Sequence, residues 1–523
     1  MKLYYNSLKI AGLSAILLLT NCSKDFLNKP PEDQIVTANF YKTEEQVVAS
    51  TNILYGLPWF NFNTKAFWAI TELSGGNGRS WSGDVVNFSD LTVTGDNQLL
   101  YSAWESLYSV VAQSNMLLVN LPKYVDPSIS QTVVNNALGE AHFMRGMAYF
   151  FLVRLFGAVP IIENNFEHVY DPLLPRHRVE DVYQFIINDF TFAEANCYSK
   201  LRTSTYANNT HVSSGSASAM LAKIYLYLKD YPKAREKSEL VINSGEFKLY
   251  GLEVPGTDFD GLFRTKNNNN EESIVALQWT VDLVKYGVQN AVQASFALNS
   301  TITGTGDGWA VLGPTIDLQR AFEPGDIRRK STIMLPGDFY PEINQAAGGF
   351  TVPEDANAQG TRAAIKKYVV GTPADNGGIG AMQKTANNTY LMRMAEVYLV
   401  HAESILADQE STSDPAALAS FNKIRRRAGL GDKPNITQDD ILRERRVEFA
   451  IEGDYWFDLG RINRAKAINI MNNQERGTYS NDNPPEIYSA HINMTEDKFL
   501  FPIPTSEVAK NPKFMEAPVP YEF

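Results

Sequence analysis

The sequence predicts a mainly α-helical protein made of helix pairs, with a loop-rich half that carries few short strands. Three observations predict it. Apolar residues recur at three- and four-residue steps from 131 to 157, and the segments 213–245 and 390–428 have the pattern of helical hairpins. Between them lie long stretches rich in glycine and asparagine. The 523 residues are ample for a large buried core.

The helix over 131–157 has the clearest pattern. Its apolar positions are Val134, Leu138, Ala141, Met144, Ala148, Phe151 and Leu155. Gly157 is a suitable stop, and Pro160 follows it. The segment 180–194 is a second amphipathic stretch, so the two predict one helix pair.

The later hairpins carry small residues at corresponding steps. Ala222, Tyr225 and Ala234 in one hairpin, and Ala395 and Tyr398 in the other, resemble the tetratricopeptide spacing without its signature Trp. Four loose helix pairs are therefore predicted: 44–121 with a long insert, 131–195, 213–245 and 390–428.

A further helix follows a capping box formed by Thr437 and Asp440, and it is predicted to run to about Glu452. Glu444, Glu448 and Glu452 recur on it at four-residue steps, with arginines between them. This pattern predicts a solvated or ion-paired helix face. The arginine run 425–427 ends the preceding helix, where cations suit the helix dipole.

The N-terminus has the pattern of a bacterial lipoprotein signal. Lysines flank an apolar run over 10–19, which is too short to cross a bilayer, and Cys22 follows. We expect residues 1–21 to be a signal peptide and Cys22 to be the lipidated residue. Residues 22–42, with the stiff pair Pro30–Pro31, would form the anchor and tether.

Composition and motifs exclude several classes of function. The net charge of −12 makes nucleic acid an unlikely class of partner. Motifs of zinc proteases, serine hydrolases, phosphate-binding loops and dinucleotide sites do not occur. The six histidines lie far apart, so no metal site is predicted, and no cofactor is predicted either.

The long inserts are where a ligand site is expected, because binding residues concentrate on loops held by a rigid scaffold. Aromatic faces and polar side chains suit the C–H faces and hydroxyls of sugars. In the insert 73–98 the candidates are Asn77, Arg79, Trp81 and Asp84. In the insert 251–350 they are Tyr286, Phe296 and Trp309. Trp81, which has serine, glycine and aspartate neighbours, and Trp309, which follows a Gly-Asp-Gly run, are predicted to be exposed. Trp104, Trp279 and Trp456 are predicted to be core residues.

An ordered set of motifs resembles the SusD/RagB family of Bacteroidetes nutrient-uptake lipoproteins. The segments are EAHFMR (140–145), RLFGAVP (154–160), AKIYLY (222–227), RMAEVY (393–398), NKIRRRAGL (422–430), ERRVEF (444–449), WFDL (456–459) and FPIP (501–504). They span essentially the whole mature chain. The resemblance implies a SusD-like fold of four tetratricopeptide-like pairs, with an N-terminal region over 43–250 and a C-terminal region over 251–523 packed as one unit.

The resemblance also implies a function. A protein of this family would be lipid-anchored on the outer membrane, face the exterior, bind glycan without cleaving it, and serve a SusC-like TonB-dependent transporter. Calcium occurs in some relatives, and the asparagine-rich stretches do not establish a site for it. Two alternatives stay open: an adaptor that binds peptides in a helical groove, and a surface glycoside hydrolase with a carboxylate pair.

Overall fold

The computed structural model describes residues 40–200 and 210–523. The predicted signal peptide, Cys22 and most of the tether lie outside the described residues. Helices dominate, as predicted. The long helices are α1 (Glu44–Ser50), α2 (Gln98–Tyr124), α3 (Gln131–Phe156), α4 (Val179–Asn196), α5 (Ser214–Tyr227), α6 (Tyr231–Ser244), α7 (Met394–Leu406), α8 (Pro415–Arg427), α9 (Gln438–Phe449), α10 (Tyr455–Arg461) and α11 (Arg464–Asn473). Shorter helices are Val86–Ser89, Val292–Phe296, Ser300–Thr303, Ile316–Ala321, Arg328–Thr332 and Thr505–Lys510.

The helices from α2 to α8 form a continuous stack, which we call the helical scaffold. Each packs on the next in chain order, and α6 packs on α7 across the long insert between them. The pairs α3–α4, α5–α6 and α7–α8 match the predicted second, third and fourth pairs. The insert of about 150 residues between α6 and α7 does not interrupt the stack, because these two helices still pack on each other.

The first pair departs from the prediction. Before α2, the only long regular helix in this part of the described chain is α1. After α1 the chain passes through short 3-10 turns and two π-helical segments, Phe62–Ala66 and Ala69–Leu73. Gly56 has non-helical backbone angles, and Pro58 lacks the N–H that an α-helix would need there. The irregular segment still packs against α2, so it occupies the place of the missing helix.

Helix ends follow the predicted signals. Gly157 and Gly245 end α3 and α6 with φ of 73° and 69°, which are angles that favour glycine. Thr437 and Asp440 cap α9 reciprocally, as predicted. The prediction that α9 extends to Glu452 is wrong, because Ala450 leaves the helical region and Ile451 has a φ of 68°.

Strands are few and short, as predicted. Every sheet in the described residues is a two-stranded antiparallel pair. The strands are β1 (Gly78–Arg79), β2 (Ser273–Leu277), β3 (Gly313–Pro314), β4 (Ile333–Met334), β5 (Phe339–Tyr340), β6 (Phe350–Thr351), β7 (Ala364–Ile365), β8 (Thr389–Arg393), β9 (Ser411–Thr412), β10 (Ile436–Thr437), β11 (Thr478–Tyr479) and β12 (Ile487–Tyr488). The pairs are β1–β3, β2–β8, β4–β7, β5–β6, β9–β10 and β11–β12.

One large apolar core joins the scaffold to the loop-rich half. Trp104, Trp279 and Trp456 are buried in it, as predicted. The indole N–H of Trp279 donates to Thr389 Oγ1 at 3.1 Å, which satisfies its polar atom inside the core.

The acidic line on α9 forms ion pairs, as predicted, but it is buried. Glu448 lies between Arg328, Arg393 and Arg427, with Arg328 Nη1 to Glu448 Oε2 at 2.9 Å. The line continues at both ends, where Glu444 pairs with Arg328 at 2.7 Å and Glu452 with Arg393 at 2.8 Å. We call this set the buried charge cluster.

The charges around Glu448 decide its protonation. Burial alone would raise its pKa, but Arg393, Arg427 and Arg328 together hold the pKa of this carboxyl well below its ordinary value. Glu448 is therefore ionised; its one negative charge is shared among three arginines, each of which pairs with a further carboxylate.

Replacement of Glu448 by Gln is expected to destabilise the protein by about 3–5 kcal/mol at pH 7, because it removes the one carboxylate that all three buried arginines share. The fold stabilises the ionised form, whose contribution is present above the ordinary pKa of 4.5 and is lost as the pH falls through the lower folded value. The difference between wild type and variant should thus shrink on acidification. Chemical denaturation at several pH values measures it.

A matched control is Glu236→Gln, since Glu236 is exposed on α6 and has no ion pair among the described residues. It should change the free energy of unfolding by less than about 0.5 kcal/mol. Equal effects of the two substitutions would contradict the assigned role of Glu448.

Candidate functional site

The loop after β1 carries Trp81 from the core to the surface. β1 pairs with β3, with Arg79 opposite Gly313, and this pairing fixes the start of the loop. Ser80 is buried, whereas 60% of Trp81 is exposed. The guanidinium of Arg79 lies 4.6 Å from the centroid of the Trp81 ring, so one cation supports the indole.

Gln359 joins the loops of Trp81 and Trp309. Its Oε1 accepts from the backbone N–H of Trp81 at 2.7 Å, and its Nε2 donates to the carbonyl of Ala310 at 2.7 Å. A single amide thus bridges the backbone of Trp81 and that of the residue after Trp309. Trp309 is 48% exposed, as predicted from its glycine-rich surroundings.

A second set of hydrogen bonds connects Trp309's loop to Tyr286. Asp307 Oδ2 accepts from the backbone N–H of Gln383 at 2.6 Å, and the Tyr286 hydroxyl donates to Gln383 Oε1 at 3.2 Å. Tyr286 is 56% exposed and its ring packs edge-on against Phe60. The three exposed rings Trp81, Trp309 and Tyr286 therefore sit on loops that are bonded in series, and we call this surface the aromatic face.

Gly360 lies beneath Trp81. A Cβ at Gly360 would be 2.7 Å from Trp81 Cη2 and 2.8 Å from Thr478 Cγ2, so no side chain fits there. This contact brings the β11–β12 hairpin against the aromatic face. Tyr488, which pairs with Thr478 in that hairpin, is exposed and adds a fourth ring near the face.

Asp84 supplies a carboxylate near the edge of the loop. Its oxygens accept from Lys65 Nζ at 2.5 Å and from Ser82 Oγ at 2.7 Å. Partial burial would raise its pKa, but the Lys65 ammonium and the Ser82 hydroxyl lower the pKa below its ordinary value. The Asp84 carboxylate is thus ionised and can accept hydrogen bonds, and half of its side chain is exposed.

Two predicted contact residues are placed elsewhere. Asn77 is fully buried, where its Nδ2 donates to Glu72 Oε2 at 3.0 Å and its Oδ1 accepts from Arg446 Nε at 2.9 Å. Phe296 is 2% exposed and packs edge-on against Trp68. The prediction that these two residues contact a ligand is wrong, because both have their partners in the core.

Gln359, Gly360 and Tyr488 were missed from sequence. They lie far from Trp81 along the chain, and none carries a local signal of its own. The described residues contain no group of three or more His, Cys, Asp or Glu side chains arranged to hold a metal ion. No helix among them is long and apolar enough to span a membrane.

The aromatic face offers flat apolar rings, the Arg79 guanidinium that stacks on Trp81, and polar groups at the loop edges. Rings suit the C–H faces of pyranoses, and the side chains of Arg79, Asp84 and Gln383 suit their hydroxyls. Backbone hydrogen bonds fix the loops before any ligand arrives, which lowers the entropy that binding would lose.

Comparisons with known proteins match the whole chain. The model described as "SusD family" matches residues 271–519, and the one described as "Starch-binding associating with outer membrane" matches 25–226. A SusD-like protein of Bacteroides ovatus is 34% identical, with all of both chains covered. The starch-binding protein SusD of Bacteroides thetaiotaomicron is 24% identical over 71% of this chain and 70% of its own.

Solved structures match the fold as well. A crystal structure described as "with xylogluco-oligosaccharide" is 32% identical and superposes with a TM-score of 0.81, covering 91% of this chain and 99% of the other. A SusD superfamily protein from Parabacteroides distasonis has a TM-score of 0.70 at 24% identity, covering 90% of this chain and 98% of its own.

Replacement of Gly360 by Ala tests how Trp81 is seated. The φ of 78° and the clash with the indole should destabilise the protein by roughly 1–2 kcal/mol and push Trp81 outward. Denaturation measures the first effect, and iodide quenching of tryptophan fluorescence measures the second. In a Trp81→Phe background the quenching change should vanish.

Gly83→Ala is the control, since a Cβ there meets nothing within 4 Å and its φ is not positive. It should leave stability and quenching unchanged. If Gly360→Ala behaves in the same way, the described contact with Trp81 is wrong.

Proposed function

The chain belongs to the SusD/RagB family, and from that premise we propose that it binds oligosaccharide at the aromatic face and delivers it to a SusC-like TonB-dependent transporter. Binding involves no bond-breaking. The observation that carries the proposal is the set of three exposed rings on loops that are linked by hydrogen bonds of the Gln359, Asp307 and Gln383 side chains.

The energetics suit capture and release. Trp81, Trp309 and Tyr286 would stack on sugar rings, and Arg79 and Asp84 would bond hydroxyls at the edge. An open face gains little net free energy, so affinity on the order of micromolar to millimolar is expected. Such an affinity lets a ligand leave again for the transporter.

A relative supports the ligand class. The crystal structure at 32% identity is described with a xylogluco-oligosaccharide, and it covers almost the whole described fold. We take glycan as the ligand class on that ground and on the chemistry of the rings.

The carboxylates of α9 do not favour a hydrolase. Glu444 and Glu448 are buried in ion pairs with arginines, and Glu452 pairs with Lys367 and Arg393. A glycosidase needs two carboxyl groups facing a substrate cleft. The acidic line on α9 therefore supports a structural role, in keeping with a protein that binds and does not cleave.

Location follows from the proposed lipid anchor. Acylation of Cys22 would attach the mature chain to the outer membrane, with the fold facing the cell exterior. The helical scaffold would dock on the transporter and the aromatic face would meet the glycan.

Replacement of Trp81 or Trp309 by Ala should each cost about 1.5–3 kcal/mol of binding free energy, or roughly 10- to 100-fold in Kd, because a large apolar contact is lost. Isothermal titration against a panel of oligosaccharides, xyloglucan fragments included, measures this. Tyr286→Ala should weaken binding in the same direction.

Tyr170→Ala serves as the control, since Tyr170 is 96% exposed and lies on a loop outside the aromatic face. It should bind glycan as the wild type does. Unchanged affinity in the Trp81→Ala, Trp309→Ala double variant would refute the assigned site.

The anchor is tested separately. Cys22→Ser should abolish labelling by radioactive palmitate and shift the protein out of the outer-membrane fraction, because two acyl chains or more are needed for stable anchoring. Cys197→Ser is the matched control, since that thiol is buried in the fold. Membrane retention of the Cys22→Ser protein would contradict the proposed lipidation.

A further inference from the structure

A cavity of about 320 Å³ opens on the helical scaffold, away from the aromatic face. It lies where α3 and α5 end and α4 begins, and α10 and the start of α11 close it. We propose that this cavity is a carboxylate-binding site that receives an acidic side chain of a partner protein. It shares no lining residue with the glycan site, and the inference stands whether or not that site binds glycan.

The charge of the cavity is positive and uncompensated. Arg154, Arg461 and Arg464 line it, and no Asp or Glu does. Arg461 is neutralised, since its guanidinium pairs with Glu403 at 2.5 Å and with Asp458 at 3.0 Å. Arg154 and Arg464 have no ion pair within the described residues, in a chain that carries 59 acidic and 47 basic side chains.

Arg154 is held rigid with hydrogen-bonding capacity to spare. Its Cζ lies 3.8 Å from the ring centroid of Phe150 and 3.9 Å from that of Phe457, so both guanidinium faces are covered. Nε donates to the Phe150 carbonyl at 2.8 Å and Nη1 to the Tyr227 hydroxyl at 3.3 Å. Nη2 has no acceptor in the part of the chain that the structure describes.

Arg464 has even fewer hydrogen-bond acceptors than Arg154 among the described residues. It stacks on Phe499 with its Cζ 4.0 Å from the ring centroid, yet none of its N–H groups has an acceptor among residues 40–200 and 210–523. Its Nη1 is shielded from solvent. Its other N–H groups belong to a half-buried side chain that lines the cavity, so an entering anion would supply the acceptor that the guanidinium lacks. A guanidinium group is a planar donor that matches the geometry of a carboxylate, and Arg154 and Arg464 both line the cavity.

The walls favour an amino-acid side chain over a sugar acid. Val153, Val179 and Leu500 are apolar and would cover a methylene stem. Besides the arginines, the polar groups of the lining side chains are the hydroxyls of Tyr183 and Tyr227 and the indole N–H of Trp456, too few for the hydroxyls of a pyranose. The faces of Phe457 and Phe499 that a sugar would need are already covered by guanidinium groups.

The test uses the mature protein and N-acetyl-L-glutamate N-methylamide as the probe, followed by NMR titration. We expect saturable binding on the order of millimolar. The glutamine analogue, which has the same shape without the charge, should bind at least 10-fold more weakly. Arg464→Gln should abolish probe binding, and Arg464→Lys should retain part of it.

Gly460→Leu tests occupancy of the cavity without removing a charge. Gly460 lines the cavity on α10, and a Cβ there meets nothing within 4 Å. The leucine should exclude the probe. All three variants should keep the oligosaccharide affinity of the wild type, which shows that they fold and separates this site from the aromatic face.

Three results would overturn the proposal. The first is no saturable binding of the glutamate probe, and the second is equal binding of the probe to wild type and Arg464→Gln. The third is that the probe still binds to both Arg464→Gln and Gly460→Leu. Tighter binding of D-glucuronate would overturn the protein partner in favour of an acidic sugar. Equal binding of inorganic phosphate would reduce the cavity to an unselective anion site and would likewise overturn it.

Discussion

The buried charge cluster around Glu448 is the constraint on which the architecture depends. Buried charges are tolerated only with partners in place, so each ion pair fixes the position of the segment that supplies it. Arg427 brings in α8, and Arg393 brings in β8 from the loop-rich half, 55 residues before Glu448. Arg427 also pairs with Glu272 at the start of β2. The helical scaffold and the loop-rich half therefore both contribute an arginine to the Glu448 carboxylate. A shift of either half would separate a buried ion pair.

The same helix supports the aromatic face. Arg446, two residues before Glu448, donates to Asn77, and Asn77 donates to Glu72. Glu72 in turn accepts from the backbone N–H groups of Ile451 and Gly453 just after α9. The base of the loop that carries Trp81 is thereby tied to the end of α9. Asn77 therefore fixes the start of this loop to the core, and β1 carries the chain from there to Trp81.

The sequence predicts the helical scaffold better than it predicts the residues of the aromatic face. Periodicity and caps predicted three helix pairs and the start of α9, because those signals are local. The flanks of Trp81 and Trp309 predicted exposure for the same reason. Asn77 has equally polar surroundings, yet its partner Arg446 lies 369 residues away and leaves no local trace. Phe296 is buried by Trp68, which sits between two π-helical segments that no simple period predicts. Gln359 bridges two loops that only the folded chain brings together.

The helical scaffold and the aromatic face are stabilised by different interactions, and this difference has a functional consequence. The scaffold and its junction rely on apolar packing and on charges whose partners are obligatory. The aromatic face relies on single amides such as Gln359 and on backbone hydrogen bonds, which constrain loop paths and leave the outward side chains free. A change of Trp309 removes a ring and leaves the hydrogen bonds of Asp307 and Ala310 in place, whereas a change of Tyr286 also removes its hydrogen bond to Gln383. Ligand preference can therefore change residue by residue on this face, while the scaffold surface that a partner would recognise stays the same.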